Sequence, residues 1–384
     1  MSEFIKRITA AVTAMTVTLC GSLTAYSEGE VTGIAKAAIV TEASTGQVLY
    51  EYNSHERLPM ASVTKLMCLL IWAEEMEKGT FNMDTVITAT ARANAMDGSV
   101  IWLNVGEEMS AYDMIRSVVI ASANDACVAV CEYIAGTEEM FVERMNKRAQ
   151  ELGMSDTHYD NCVGFDSDTH YTSAYDTAIL SAAVSEYDCY NEFFATRLDY
   201  VREGERQTQL LNTNKLMQRY DGIIGGKTGT TDKAGCCLAV WAKRGNMKLC
   251  AVALGCKESE QRFTACTDLL DYGFSGFELY RTAVDSDVLT PVTVTEGLEK
   301  QADIRVKRLN TIVIPKGSSK RIEYTHTVVD SLSAPVQYGE KVGEVRASLD
   351  GEEIFYSDIV TTGEIGELNF FSSLGIILRS LFSM

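Results

Sequence analysis

The sequence predicts an α+β region, then a small all-β region, then a terminal amphipathic helix. Three observations carry this. Apolar residues recur at helical spacing in several segments between Leu66 and Phe274. Short apolar or β-branched runs, broken by Gly, Ser and Asn, lie among those helices. From Val284 onward the texture changes to brief alternating strands, and the final 17 residues return to a helical pattern.

Length and composition set the limits. The 384 residues suffice for two domains, and 46% hydrophobic residues with four prolines describe a folding chain. A net charge of −19 argues against nucleic acid as a partner. Lys6 and Arg7 precede an apolar run from Ile8 to Leu19, with small residues near Ala25, so residues 1–27 read as an export signal. The protein is therefore expected outside the cytoplasm, at the outer face of the membrane or in the wall space. Of eleven cysteines, ten follow that segment. They show no C-x-x-C and no metal spacing with the four histidines, so core packing is their expected role. A few disulfides stay open, and no metal or cofactor is expected.

Lys36 to Glu51 holds two apolar runs around Ser-Thr-Gly and predicts a hairpin. Pro59 and Ser62 open a helix with apolar positions at Leu66, Leu69, Leu70 and Ala73. Val86 to Thr90 reads as a short strand. Gly98 to Val105 reads as loop and strand, with Trp102 packed inward. Met109 to Ile120 and Ala126 to Ile134 predict two helices around Ser122 and Asn124. Met140 to Leu152 predicts another, ended by Gly153. Asp176 to Tyr187 is helical, Asn191 to Tyr200 extended. Cys236 to Trp241 and Leu249 to Leu254 predict antiparallel strands around Arg244-Gly-Asn246. Arg262 to Phe274 is helical. Val288 to Val294, Ile304 to Val306, Thr311 to Ile314, Ile322 to Thr327 and Gly343 to Ala347 are the strands of the all-β region.

Ser62 and Lys65 stand three residues apart, on one helical face. A serine hydroxyl needs a base, and a lysine whose pKa is lowered by burial or a second cation can serve. Taken alone, the pair also fits a capping Ser beside a solvated Lys. Context comes from Ser122-Ala-Asn124, 60 residues on, and Lys227-Thr-Gly229, 105 residues further. Ser122 and Asn124 would occupy a turn between helices, where helix capping is the bland alternative. The glycines before Lys227 invite a P-loop reading, but that pattern needs Gly where Asp221 stands, so the match fails.

These three motifs, in this order, resemble those of the low-molecular-mass penicillin-binding proteins, the D-alanyl-D-alanine carboxypeptidases. The resemblance spans roughly residues 34–384. Ala123 departs from the Asp of the Ser-Asp-Asn form. The stretch Asn161, Gly164, His170, Ser173-Ala174 and Asp176 also matches, except that Cys162 stands where the family usually has Pro. His170 reads as a loop organiser rather than a proton carrier. The resemblance implies the serine β-lactamase/DD-peptidase fold over 28–280, a C-terminal β domain over 281–364, and a membrane-anchoring helix over 365–384. For that helix, packing on the β domain is the alternative.

The resemblance further implies removal of the terminal D-alanine from peptidoglycan stem peptides through an acyl-enzyme, and inhibition by β-lactam antibiotics. Ser62 would attack, Lys65 take its proton, and Ser122 pass a proton to the leaving amine. Asn124, Lys227, Thr228, Gly229 and Thr230 would bind substrate. Arg262 would help orient its carboxylate or lie idle on the surface. Two rivals are a serine β-lactamase and a non-catalytic wall-binding homologue. No Glu-x-x-Leu-Asn stretch lies between Ser122 and Lys227, which disfavours the first, and the intact motifs disfavour the second.

Overall fold

The computed structural model describes residues 33–370 except Asp285. The expected export signal (residues 1–27) and, from residue 371, most of the expected terminal helix over 365–384 lie outside the described residues. Among the described residues no helix is long and apolar enough to cross a membrane. The chain divides into two compact units, with the boundary between Gly276 and Phe277.

The first unit is built on a five-stranded sheet. Its order is Val48–Tyr52, Ala37–Glu42, Met247–Cys256, Gly235–Arg244 and Ile223–Thr231, and every neighbouring pair is antiparallel. All six residues of Ala37–Glu42 are buried. Because successive side chains point to opposite faces, such a strand must be covered on both sides. On one face Ile39, Ala239, Trp241 and Val252 join the large core, which includes the apolar residues of the helix Lys65–Glu77. On the other lies the helix Ser259–Gly276, where Gly273 approaches so closely that a Cβ there would sit 2.5 Å from Leu249 Cδ1. Gly245, at φ +60°, turns the Gly235–Arg244 strand back into Met247–Cys256. The helices Ala111–Ala121, Asn124–Ala135, Glu138–Glu151 and Ala174–Val184 complete the unit. Ser110, Thr137 and Ser173 cap three of them, each accepting a backbone N–H three residues on.

The second unit is all-β. Phe277–Arg281 pairs with Thr311–Pro315. A four-stranded sheet runs Ile304–Val306, Glu352–Thr361, Lys341–Leu349, Ile322–Val328. Val342, Val345, Ala347, Phe355 and Ile359 fill its core.

Three local expectations fail. Asn191 to Tyr200 is not one extended edge. Asn191–Ala195 is a helical turn that buries Phe193 and Phe194, and only Leu198–Val201 is a strand, paired with Thr208–Leu211. Gly98 to Val105 forms no strand, because Asp125 claims the amides of Ile101 and Leu103 at 3.0–3.1 Å. Trp102 is not packed inward but 68% exposed, at φ +58°. The described cysteines are all free thiols, so none of them forms a disulfide.

Candidate active site

The nucleophile turn comes before its helix. Ala61–Thr64 is a 3₁₀ turn and the α-helix starts at Lys65. Side chains three apart eclipse in 3₁₀ geometry, which sets Lys65 over Ser62. Lys65 Nζ donates to Ser62 Oγ at 2.9 Å and to the Val163 carbonyl at 2.7 Å. Ser62 Oγ also lies 3.4 Å from that carbonyl, as donor. Lys65 has no exposed surface, and burial holds its amine below the ordinary lysine range, with neighbouring thiols opposing the shift.

Two glycines make the turn possible. Ala61 is itself left-handed, at φ +48°. Gly164, at φ +94°, lies so near that a Cβ would meet the Ala61 carbonyl oxygen at 1.9 Å. A Cβ on Gly229 would stand 2.9 Å from the Ser62 nitrogen, so the Lys227-Thr-Gly229 strand runs against the nucleophile's backbone. Gly164 is held by Asn161, whose Oδ1 accepts the amides of Val163, Gly164 and Phe165 at 2.7–3.2 Å. Cys162, in the place of the family's Pro, uses its N–H to reach Glu138 at 3.3 Å, a bond proline cannot make.

Ser122 and Asn124 are not helix N-caps. Ser122 ends the helix Ala111–Ala121 at φ +64°, and Ala123 is the residue before the next helix, without a side-chain cap. Lys227 Nζ donates to Ser122 Oγ at 2.9 Å and to the Thr228 carbonyl at 3.0 Å. Lys227 is also buried, and burial, then the Lys65 charge, push its amine well below the usual value. Asn124 Nδ2 donates to the Asp97 carbonyl at 2.7 Å, while its buried Oδ1 has no partner within the described residues.

Ile223–Thr231 is an edge strand, and Thr230 on it is exposed, so its outer side can receive an extended chain. Arg262 is buried, not a surface residue. It donates to the Gly229 carbonyl at 3.0 Å and Thr230 Oγ1 at 2.9 Å, and so braces this strand from behind. Thr228 Oγ1 donates to Thr213 Oγ1 at 2.7 Å.

His170 is an organiser. Its Nδ1 accepts the Asp160 amide at 3.0 Å, which leaves the proton on Nε2 for Thr64 Oγ1 at 2.8 Å. Thr64 Oγ1 in turn donates to the Ala61 carbonyl at 2.8 Å. Burial lowers the imidazole pKa to about 4. Sequence reading missed Thr64, the Val163 carbonyl and Thr213. Of these only Thr213 had a signal, in the Asn212-Thr-Asn214 loop.

Two buried lysines, each hydrogen-bonded to a serine hydroxyl beside an edge strand, define a serine acyl-transfer site of the penicillin-recognising type. Residues 24–258 match the model of the D-alanyl-D-alanine carboxypeptidase family, peptidase S11, and residues 277–367 that of the penicillin-binding protein 5 C-terminal domain. D-alanyl-D-alanine carboxypeptidase DacF of Bacillus subtilis is 36% identical over 342 residues, 88% of each chain. The structure of penicillin-binding protein 5 from Haemophilus influenzae superposes with a TM-score of 0.77 at 27% identity, covering 87% of this chain and 98% of that one. Penicillin-binding protein D2 of Listeria monocytogenes, solved in an ampicillin-bound form, gives 0.56 at 27% identity, over 62% of this chain and 97% of that one. The chain belongs to the D-alanyl-D-alanine carboxypeptidase family and is a serine-type D-Ala-D-Ala carboxypeptidase.

Proposed function

We propose that this chain trims the terminal D-alanine from peptidoglycan stem peptides, with the roles divided as follows. Ser62 Oγ attacks the penultimate D-alanine carbonyl as Lys65 takes its proton. The backbone N–H groups of Ser62 and Thr230 receive the developing oxyanion, each such donor being worth roughly 3 to 4 kcal/mol of barrier. Ser122, polarised by Lys227, passes a proton to the leaving amine. Asn124 Oδ1 accepts a substrate N–H. Thr228 and Thr230 hold the terminal carboxylate, near Lys227, and Arg262 acts on it through Thr230. The arriving carboxylate favours the charged form of Lys227. Water then releases the acyl-enzyme, and a β-lactam traps it.

The observation that carries this reading is the 2.9 Å bond from Lys65 Nζ to Ser62 Oγ in a site with no exposed lysine surface. Free D-alanine released from a diacetyl-Lys-D-Ala-D-Ala peptide tests it: the intact chain should release it and Ser62→Ala should not. Equal release by the variant would overturn the assignment of Ser62.

We further propose an exported protein held at the outer face of the cytoplasmic membrane by its last residues. Support comes from the basic pair and apolar run before Leu19, and from the polar stripe of Asn369, Ser372, Ser373, Arg379, Ser380 and Ser383. Fractionation of cells producing the chain with and without residues 371–384 checks the anchor. Equal membrane association of both forms would contradict it.

A further inference from the structure

The fold assembles a thiol cluster that the sequence spacing conceals. Cys127 and Cys131 stand four apart on the helix Asn124–Ala135, hence on one face. Cys68 lies on Lys65–Glu77, three residues beyond the general base. The three Sγ atoms lie within 4.8 Å of one another, and all three residues are fully buried. Cys68 and Cys127 both point their thiols at the Cys162 carbonyl, at 3.2 and 3.5 Å. The Cys162 thiol itself donates to Glu138 Oε1 at 3.4 Å. None of these four thiols takes part in the acyl-transfer scheme.

We propose that Cys68, Cys127 and Cys131 form a binding site for a soft d¹⁰ metal ion, Cu(I) or Zn(II). Metal–thiolate bonds of about 2.3 Å place sulfurs about 4 Å apart in a three-coordinate centre, so small side-chain rotations bring the set to bonding geometry. Thiolates select these ions over hard cations. The three protons leave as the ion enters: three thiols and one ion give a tris-thiolate centre and three protons, with no change of oxidation state. Cu(I) is satisfied by the trio. Zn(II) needs a fourth ligand, and the Cys162 thiol is the candidate, on the residue whose carbonyl already meets Cys68 and Cys127.

The test uses the full-length chain with Cys189→Ser, which removes the one exposed thiol among the described cysteines. Reduced, oxygen-free protein is titrated with buffered Cu(I) or with Zn(II), both in the native state and during refolding with the ion present. The readouts are the ultraviolet thiolate-to-metal band (for Cu(I)), proton release, and bound metal after desalting. A single equivalent is expected, and its loss in Cys68→Ala and in Cys131→Ala, each checked as folded by covalent penicillin labelling. Cys162→Ala should weaken Zn(II) and spare Cu(I). No stoichiometric binding by either route, or binding that survives both Cys68→Ala and Cys131→Ala, would leave these thiols as small core residues and overturn the site.

Discussion

Lys65 pays for its closeness to Ser62 with complete desolvation, and that same desolvation makes it a base. An amine without exposed surface, 2.9 Å from the hydroxyl it must deprotonate, is neutral at lower pH than a solvated lysine. Acylation by a fluorescent penicillin should therefore rise with pH and level off before the ordinary lysine value of 10.5. A rate still climbing through 10.5 would mean that Lys65 is not the titrating base. Lys65→Ala should slow acylation by about 10²- to 10⁴-fold, the range for loss of a positioned general base. His170 acts on stability instead. Its folded pKa of about 4 lies below the ordinary 6.5, so between those values the unfolded chain binds the extra proton. Stability should fall as pH drops from 6.5 towards 4, by up to about 3 kcal/mol from this group. His170→Asn should flatten that slope in urea melts at several pH values, and an unchanged slope would contradict the assignment. At this scale the sequence was informative where residue type carries the chemistry, as at Ser62, Lys65, Ser122 and Lys227. It was silent on the Val163 carbonyl, because a backbone oxygen has no letter of its own. It left Arg262 undecided, because a guanidinium that braces a strand and one that floats on a surface are spelled alike.

Among the elements, the 3₁₀ turn at Ala61–Thr64 and the Asn161–Phe165 loop depend on each other through Gly164. Gly164→Ala would drive a Cβ into the Ala61 carbonyl at 1.9 Å while holding φ at +94°. That is backbone against backbone, which no rotamer change relieves. The variant should lose penicillin labelling and several degrees of melting temperature, measured side by side. Wild-type values for both would show the contact to be dispensable. Periodicity located most helices and the sheet strands because both faces of the sheet are apolar. It failed where a local competitor won. Asp125 takes the amides that a strand over Gly98 to Val105 would need, and burial of Phe193 and Phe194 folds Asn191–Ala195 into a helical turn. Glu352–Thr361 escaped notice because its first residues are acidic and exposed while Phe355, Ser357 and Ile359 face inward.

For the whole molecule, the motif residues all fall in the unit that ends at Gly276, and none of them in the all-β unit. A chain ending at Gly276 is expected to fold and to label with penicillin at a rate close to that of the full protein. A large loss of labelling in a folded truncation would show that the β unit contributes to the site. The change of texture near Val284 revealed a second unit, but not that it opens with Phe277–Arg281. That strand is recognisable only from its partner Thr311–Pro315, 30 residues away at the closest registered pair, Arg281 with Thr311.

The most direct test is intact-mass and peptide-level mass spectrometry of the full chain during incubation with penicillin. The structure predicts one stable penicilloyl adduct, on Ser62, that persists while substrate peptide loses D-alanine in a parallel reaction. An adduct elsewhere, or rapid return to unmodified protein with hydrolysed penicillin, would contradict a penicillin-sensitive carboxypeptidase acting through Ser62.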